Sequence, residues 1–516
     1  MTDAVSKRKP WYTSGAAVLS GLLFALAFPP FEWVVLLPVA LVPWLVVLTR
    51  EESRGRALFS GVLFGFAYWC VSIPWVFYVV THYGGQGPVM GAVCVLLLAG
   101  ILSEWSAVVA WGTVAIAPVG SLTRLAAFPL LWMAAEHARS YIYGGFPWNL
   151  TGHALYRHPI WTQSASVWGV YGVGVCVAAL AALLAATILR RRAAPALVAA
   201  GIALLLGAAG AARLRSSSGP ARTFSYAILQ PNVTEETRRA PGGVAQAYES
   251  VLVQAREAAQ DRPFLIVLPE SALPVTWQES ERLRRDLAAV SDDCCNVLFN
   301  DLEAEPGGRY YNVARVLGPK GLIGRPYRKV HLVPFGEYVP LPKIFFFARK
   351  ITSEVGGFSA AQRPELIDAG DLRIGMGVCY EIIYPTLMRD QVAAGANLLA
   401  TISNDSWYGR AGAQAQHFAG AAIRSVETNR WLLRAAITGI SGAVDEKGRI
   451  RAELPADHAG ILRGQARLLT EQTAWTRWGF WIPRAADVLA LAVLIFGLTR
   501  WLTGRRVSRS RLRAES

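Results

Sequence analysis

The sequence predicts two kinds of structure in one chain, an α-helical membrane domain of eight transmembrane helices and an extracytoplasmic α/β domain. Three observations predict it: the composition is too apolar for a soluble enzyme, apolar runs of spanning length flank one long polar stretch, and that stretch alternates strand-like and helix-like segments. Of 516 residues, 53% are hydrophobic and only 17% charged, which puts the chain in the membrane class. A formal charge of +15, from 51 Lys+Arg against 36 Asp+Glu, would suit a nucleic-acid partner if the basic residues gathered on one folded surface. They fall instead as short runs at the ends of apolar stretches: Lys7-Arg8-Lys9, Arg54 and Arg56, Arg190-Arg191-Arg192, then Arg505, Arg506, Arg509, Arg511 and Arg513. That distribution reads as membrane topology, and no nucleic-acid partner is expected.

A helix needs about 20 apolar residues to cross the hydrocarbon core. Candidates lie near 14–28, 33–48, 57–80, 91–117, 125–141, 166–189, 194–212 and 485–502. The first leads into FALAFPPFEW, whose Ala25-Leu26-Ala27 resembles a signal-peptidase site; the spans that follow at once favour its retention. The N-terminus, the Arg50–Arg56 loop, the Arg124 loop, the Arg190–Arg192 loop and the C-terminal tail are basic, whereas Pro29–Glu32 and Thr81–Pro88 carry no Lys or Arg. Both termini are therefore expected in the cytoplasm, with the long segment between the seventh and eighth spans outside. The expected domains are a transmembrane domain over 1–212, a catalytic domain over 213–484, and an eighth helix with a basic tail over 485–516.

Within the polar stretch, FSYAILQ (224–230), PFLIVLPE (263–270), NVLFN (296–300), LRIGMGVCYE (372–381) and NLLATISND (397–405) are short apolar runs bounded by polar or Gly/Pro residues, the pattern of buried strands. Ala245–Ala259 and Glu279–Ser291 are helix-like, so the domain is expected to be α/β. RLRSSSGPAR (213–222) reads as a flexible exit from the membrane.

Three stretches put a chemically useful residue beside an apolar strand, where α/β enzymes build their sites. They are LPES around Glu270, YRKVHLVPFGEYVP around Lys329 and Glu337, and GVCYE around Cys379. Taken singly each has an ordinary reading: a core cysteine, a helix-capping glutamate, a solvated lysine. The other cysteines, Cys70, Cys94, Cys176, Cys294 and Cys295, suggest no disulfide framework, and the neighbours Cys294 and Cys295 can hardly bridge each other without strain. No CxxC, HxxxH or HExxH spacing is present, so no metal and no cofactor is expected.

Together and in this order, the three stretches resemble the nitrilase superfamily, whose members use a Glu, a Lys and a Cys to pass an acyl group through a thioester. LVPFGEYVP, VCYE and SNDSWYG (403–409) are similar to stretches of its membrane-embedded branch, the apolipoprotein N-acyltransferases. Eight spans with the catalytic domain before the last also match, so the resemblance covers nearly the whole chain. It implies an extracytoplasmic α-β-β-α sandwich carried by a protein of the bacterial inner membrane, a phospholipid acyl donor and a diacylated apolipoprotein acceptor. The acyl group would reach the N-terminal amine of the acceptor's diacylglyceryl-cysteine, completing lipoprotein maturation.

Chemistry makes sense of the residue types. A thiol is mostly protonated at neutral pH, so Cys379 needs a base and a nearby positive charge. Glu270 fits the base, first for the thiol and then for the incoming amine. Lys329 fits stabilisation of the tetrahedral oxyanion, helped by the backbone N–H just after the nucleophile. By resemblance, Glu337 keeps Lys329 charged and placed, and Tyr380 and Glu381 match residues on which the family relies. The ordinary alternatives are a surface carboxylate at Glu337, a packing ring at Tyr380 and an arginine-paired Glu381. Asn312, in RYYNVARV, orients the site or serves a strand or turn. His331 and His417 invite comparison with a Cys–His pair but read as buried, hydrogen-bonded histidines, with His417 bracing the strand end that carries Asn404 and Trp407.

Where the family often shows a Lys-Trp pair after Gln-x-Asn, this chain has Gln230-Pro231-Asn232-Val233 and then Arg238-Arg239. Trp277 and Trp407 are both candidates to replace the tryptophan missing at Arg239. The loop YIYGGFPWNLTGH (141–153) reads as an interfacial aromatic belt or, by resemblance, as substrate entry near Phe146, Pro147 and Trp148. Phe146, Trp148, Asn404 and Trp407 are the expected substrate contacts. Glu136 and Arg139, one helical turn apart in an apolar span, are expected to pair with each other.

A membrane domain argues that one substrate is a lipid. Two other readings stand beside the acyltransferase: a membrane-tethered nitrilase-like amidase that gives the acyl group to water, and a non-enzymatic transporter or scaffold. The intact Glu, Lys and Cys weigh against the last.

Overall fold

A computed structural model describes residues 11–219, 221–292, 295–339, 357–479 and 481–514. The basic run Lys7-Arg8-Lys9 and Cys294 lie outside the described residues. Four helices are long and apolar enough to cross a membrane: Pro88–Ala115, Ala165–Arg190, Ala194–Arg215 and Trp481–Thr499. A fifth is formed if Arg54–Ser72 and Trp75–Tyr83, bent by 57° at their junction, act as one. The sequence led us to expect eight. The difference comes from length and charge: Trp11–Ala25 has 15 residues, which at about 1.5 Å per residue fall short of a hydrocarbon core of about 30 Å. Leu36–Arg50 is similarly short, and Leu122–Arg139 carries buried Arg124, Glu136 and Arg139.

Those charges also correct an expectation. Glu136 and Arg139 do not satisfy each other; both hold the loop that follows them. Glu136 Oε1 accepts from Thr151 N at 2.6 Å and Thr151 Oγ1 at 2.7 Å, and Arg139 donates to the carbonyls of Phe146 and Trp148, each at 2.7 Å. The Arg139 guanidinium also lies over the Trp69 ring. A chain reversal at the edge of a helical bundle exposes backbone groups that lipid cannot satisfy, and these two side chains satisfy them. Cys295 is in a disulfide, against the expectation of none.

The α/β domain is two six-stranded sheets packed face to face. The first contains β1 (Arg222–Gln230), β2 (Leu265–Val267), β3 (Asn296–Glu305), β4 (Arg309–Gly318), β5 (Gly321–Arg328) and, far along the chain, β12 (Gly460–Leu468), in the order β12-β1-β2-β3-β4-β5. The second contains β6 (Ile367–Ala369), β7 (Leu372–Val378), β8 (Leu398–Ser403), β9 (Leu432–Ala436), β10 (Ser441–Val444) and β11 (Ile450–Leu454), in the order β11-β10-β9-β8-β7-β6. Pairs β1–β2, β2–β3, β7–β8 and β8–β9 are parallel.

Period-two alternation builds the layers. Along β1, Phe224, Tyr226 and Ile228 point between the sheets, toward Ile374, Met376 and Ile402 of the second. Ala227 and Leu229 point outward and pack on the helices Gly243–Gln260 and Glu281–Ser291 through Val251, Leu252, Leu283 and Leu287. Helix Ala413–Thr428 covers the second sheet and is buried on all sides. Its Ile423 and Val426 belong to the same core as Val170, Tyr171 and Trp475, and Glu427 Oε1 accepts from Val170 N at 2.7 Å, inside a membrane helix. The outer helical layer of the sandwich is thus also the layer that packs on the membrane part.

Replacing Glu136 by alanine leaves the Thr151 N–H and hydroxyl without their acceptor. The expected cost is about 1–3 kcal/mol, read as a lower thermal midpoint in detergent; an unchanged midpoint would remove this role.

Candidate active site

Parallel strands deliver their following loops to one edge of each sheet, and the sandwich brings the two edges together. Glu270 follows β2, Cys379 follows β7, Asn404 follows β8, and Lys329 directly follows β5. All four are buried. Lys329, 1% exposed, lies 2.9 Å from Glu337 Oε1 and 3.8 Å from Glu270 Oε1. Two further donors fix Glu270: Asn312 Nδ2 at 2.9 Å to Oε1 and the Asn404 backbone N–H at 2.9 Å to Oε2. Asn312 Nδ2 also reaches Glu337 at 3.2 Å, while its own oxygen accepts from Asn300 Nδ2 at 2.7 Å. Glu337 in turn closes its own loop by accepting from Val333 N at 2.9 Å.

Burial sets the charge states. It pushes the Glu270 carboxyl up, and Glu337 adds to this, while Lys329 and the donors from Asn312 and Asn404 pull it back; the net direction is upward. Burial would lower the Lys329 ammonium, but Glu337 and Glu270 raise it above its usual range, so it stays charged. The Cys379 thiol is pushed well up by burial and by Glu270, against the pull of Lys329. At rest the thiol is neutral, and it loses its proton only to a base placed beside it.

Cys379 sits at the start of one helical turn, Cys379–Ile383, with φ at +55°. A residue with a side chain in this left-handed region stores of the order of 1–3 kcal/mol, which the surroundings must hold. Glu381 does much of that holding. Its Oε1 accepts from the N–H groups of Val330 and His331 at 2.7 and 2.9 Å, and its Oε2 from Val378 N and Tyr327 Oη, each at 2.9 Å. One carboxylate therefore ties the turn that begins at Cys379 to the chain just after Lys329. Burial raises its pKa to about 7, against the opposite pull of Lys329 and those N–H groups. No arginine pairs with it among the described residues.

Tyr380 donates to the carbonyl of Gly145 at 3.3 Å, and Tyr384 donates to the same carbonyl at 3.0 Å. These bonds seat the loop of the membrane part on the Cys379 turn. Gly145 has φ +82°, and a Cβ there would meet Ser140 O at 2.2 Å and the Tyr384 ring at 3.0 Å, so only glycine fits. Trp148 is buried, 1% exposed; it donates to Gln416 Oε1 at 2.7 Å and stacks on His417. Phe146 is half-buried between Trp69 and Trp148.

His417 reaches the main chain of Cys379, not its sulfur: Nε2 lies 3.0 Å from the Cys379 carbonyl. His331 stacks on Tyr384, with ring centroids 4.2 Å apart. The two indoles considered for the missing tryptophan fall in different places. Trp277 packs its ring on Phe299, and its backbone N–H donates to Asp301 Oδ1. Trp407 lies 4.6 Å from the Tyr83 ring, beside Arg239, which sits over that same ring, and Tyr83 Oη donates to Ser406 O. Trp407 thus shares the Asn404–Tyr408 segment that also holds Glu270.

Sequence reasoning missed Asn300, Ser403, Tyr327, Tyr384, Asp405 and Arg434 around the site. Ser403 and Asp405 lie inside SNDSWYG, where Asp405 could have been suspected as a carboxylate; the others carry no motif of their own.

A two-sheet α/β sandwich with a buried carboxylate, ammonium and thiol at its strand ends defines a carbon–nitrogen hydrolase type of enzyme, and residues 227–473 match the carbon-nitrogen hydrolase family. Residues 20–183 match the apolipoprotein N-acyltransferase N-terminal domain. The chain is 34% identical to an apolipoprotein N-acyltransferase of Geobacter metallireducens over 92% of its length and 94% of the relative's. It is 30% identical to that of Methylococcus capsulatus, covering 90% and 92%, and 29% identical to that of Pseudomonas syringae pv. tomato, covering 98% and 99%. The chain belongs to the apolipoprotein N-acyltransferase family.

Removing the charge of Lys329 leaves Glu270 and Glu337 facing each other in a dry site. Lys329→Met is expected to cost roughly 3 kcal/mol or more and to lower the thermal midpoint in detergent, whereas Cys379→Ala leaves the midpoint close to wild type. Equal midpoints for the two variants would contradict this account of the cluster.

Proposed function

We propose that the protein transfers a fatty acyl group from a membrane phospholipid, through a thioester on Cys379, to the N-terminal amine of the diacylglyceryl-cysteine of an apolipoprotein. The observation that carries the reading is the contact between the two halves of the chain. The turn bearing Cys379 is fastened to a loop of the apolar part by Tyr380 and Tyr384 on Gly145. A hydrolase of soluble amides has no use for a nucleophile seated on the membrane side of its sandwich, whereas an enzyme that takes acyl chains from lipid does. The names of the relatives likewise favour acyl transfer over the amidase reading.

In this reading Glu270 takes the thiol proton as Sγ attacks the ester carbonyl carbon, and the negative charge on the carbonyl oxygen develops against Lys329 and the N–H after the nucleophile. Collapse of the tetrahedral intermediate releases the lysophospholipid, which leaves with the proton from Glu270. The freed carboxylate then deprotonates the acceptor amine, which attacks the thioester and restores the thiol. Glu337 holds Lys329, while Asn312 orders both carboxylates. Glu381 and Tyr380 hold the nucleophile turn, and Phe146, Trp148, Asn404 and Trp407 border the route to it.

The same reading divides the chain into a transmembrane domain over 1–212, a catalytic domain over 213–484, and a last helix with a basic tail over 485–516. Eight crossings of the inner membrane, both termini cytoplasmic and the catalytic domain outside are the arrangement that the basic loops support. The shorter and charged helices would then be spans completed by flanking residues, by local thinning of the bilayer and by mutual packing.

The test is the intact mass of the detergent-purified enzyme after incubation with phospholipid and no acceptor. A gain of one fatty acyl group, removed by hydroxylamine and missing from Cys379→Ala, is expected; a wild type that binds phospholipid and gains nothing would falsify the donor half. The pH dependence follows from Glu270. A base works only when ionised, and burial raises this carboxyl, so kcat/KM is expected to fall on the acid side at a pH above the ordinary glutamate value of about 4.3. An acid limb at or below that value would exclude Glu270 as the base.

A further inference from the structure

Behind the nucleophile lies a closed set of buried polar groups that the proposed mechanism does not use. Ser403, at the end of β8, has one hydroxyl proton and two neighbours within reach of it: Asp405 Oδ1 at 2.5 Å and Cys379 Sγ at 3.4 Å. Asp405 is fully buried and its other oxygen accepts from Arg434 at 2.6 Å. Burial alone would raise this carboxyl, but Arg434 and His417 hold it well below the usual carboxylate range, so it remains an anion. An anionic oxygen at hydrogen-bond distance binds a hydroxyl proton far better than a neutral sulfur does. The Ser403 proton therefore points at Asp405, and what Ser403 turns toward the sulfur is a lone pair.

The imidazole of His417 fits the same proton count. Burial and the Arg434 charge hold it below its usual range and so neutral, with one ring proton. Nε2 faces the Cys379 carbonyl at 3.0 Å, and Nδ1 lies 3.0 Å from Asp405 Oδ1 and 3.1 Å from Arg434, so the ring proton has an acceptor on either side. With the ring proton on either nitrogen, Asp405 Oδ1 still takes the Ser403 proton, and the acceptor that remains beside Sγ is Ser403 Oγ.

We infer that Ser403 is a positioning residue for the nucleophile: its hydroxyl oxygen accepts the S–H of resting Cys379 because Asp405 holds the hydroxyl's own proton. The inference rests on the reading of Cys379 as nucleophile and adds a resting state to it. In that state the S–H bond lies toward Ser403 and away from Glu270. Attack requires the S–H to turn to Glu270, where the bond breaks, the proton passes to a carboxylate oxygen and Sγ bonds to the ester carbonyl carbon. The Ser403 proton does not move. A lone pair facing the sulfur disfavours a thiolate, which keeps the buried cysteine unreactive until a substrate carbonyl is in place.

The test is the pH dependence of Cys379 alkylation by iodoacetamide in the full-length enzyme in detergent, read by mass spectrometry of the Cys379 peptide. The charged and titratable groups facing the sulfur are Glu270, Lys329, Asp405 and Tyr408; Ser403→Ala retains all of them. Loss of an acceptor for the neutral thiol favours the thiolate, so the alkylation midpoint in Ser403→Ala is expected to fall by about half a pH unit or more, roughly threefold faster labelling below the midpoint. Ser403→Thr, which keeps the hydroxyl, is expected to keep the wild-type midpoint. A midpoint that rises in Ser403→Ala, or does not move, overturns the inference, since a hydroxyl donating to sulfur would have stabilised the thiolate. If the alanine variant does not fold, the S–H stretching band isolated as the infrared difference between wild type and Cys379→Ala decides the matter. A band lowered from that of a free thiol supports the acceptor, and a free-thiol band rejects it. Alkylation does not depend on acyl transfer, so a wild type that forms no thioester tells against the proposed function and leaves this measurement standing.

Discussion

The ammonium of Lys329 is the constraint on which the rest of the site depends. It is buried between two carboxylates, 2.9 Å from one and 3.8 Å from the other. A charge in that position is tolerable only with its partners fixed. The donors from Asn312, the Asn404 N–H and the Val333 N–H are what fix them. The position of Lys329 is in turn tied to the nucleophile through Glu381, whose two oxygens accept from the chain after Lys329 and from the strand before Cys379. Moving any one of these groups would leave another donor or charge unpaired in a dry interior.

The same economy joins the two halves of the chain. Helix Ala413–Thr428 belongs to the sandwich through its sheet-facing side and to the membrane part through Ile423, Val426 and Glu427. Gln416, on that helix, accepts from the Trp148 indole and donates to the carbonyls of Pro29 and Ser72. His417, the next residue, holds the Cys379 carbonyl. A displacement of the aromatic loop at 146–148 therefore meets the nucleophile within two side chains, and the left-handed turn at Cys379 is held from the membrane side as well as from within the sandwich.

Charge placement within the apolar part follows a comparable logic. Arg124 donates to the carbonyls of Ala117, Leu48, Thr49 and Glu51, and Arg139 to those of Phe146 and Trp148. In both cases a guanidinium closes a chain reversal by filling carbonyl groups that have no water to turn to. An ion pair between Glu136 and Arg139 would have left those reversals unsatisfied.

What the sequence determined by itself was local. Short continuous apolar runs located β1, β3, β7 and β8 to within a few residues, because a strand buried on both faces is apolar at nearly every position. The order of Glu270, Lys329 and Cys379 was legible because the stretches around them resemble those of a known family. Span counting was less secure, since hydropathy records composition while length and kinks, such as the bend between Ser72 and Trp75, depend on packing. Only the tertiary structure decided which groups share a proton or a charge. Asn300, Tyr327 and Arg434 come from separate strands and have no pattern in sequence, and the pairing of Glu136 and Arg139 with a loop instead of each other depended on where unsatisfied carbonyls and N–H groups came to rest. Hydrogen bonds between distant residues are set by the fold's closure, which no short stretch of sequence encodes.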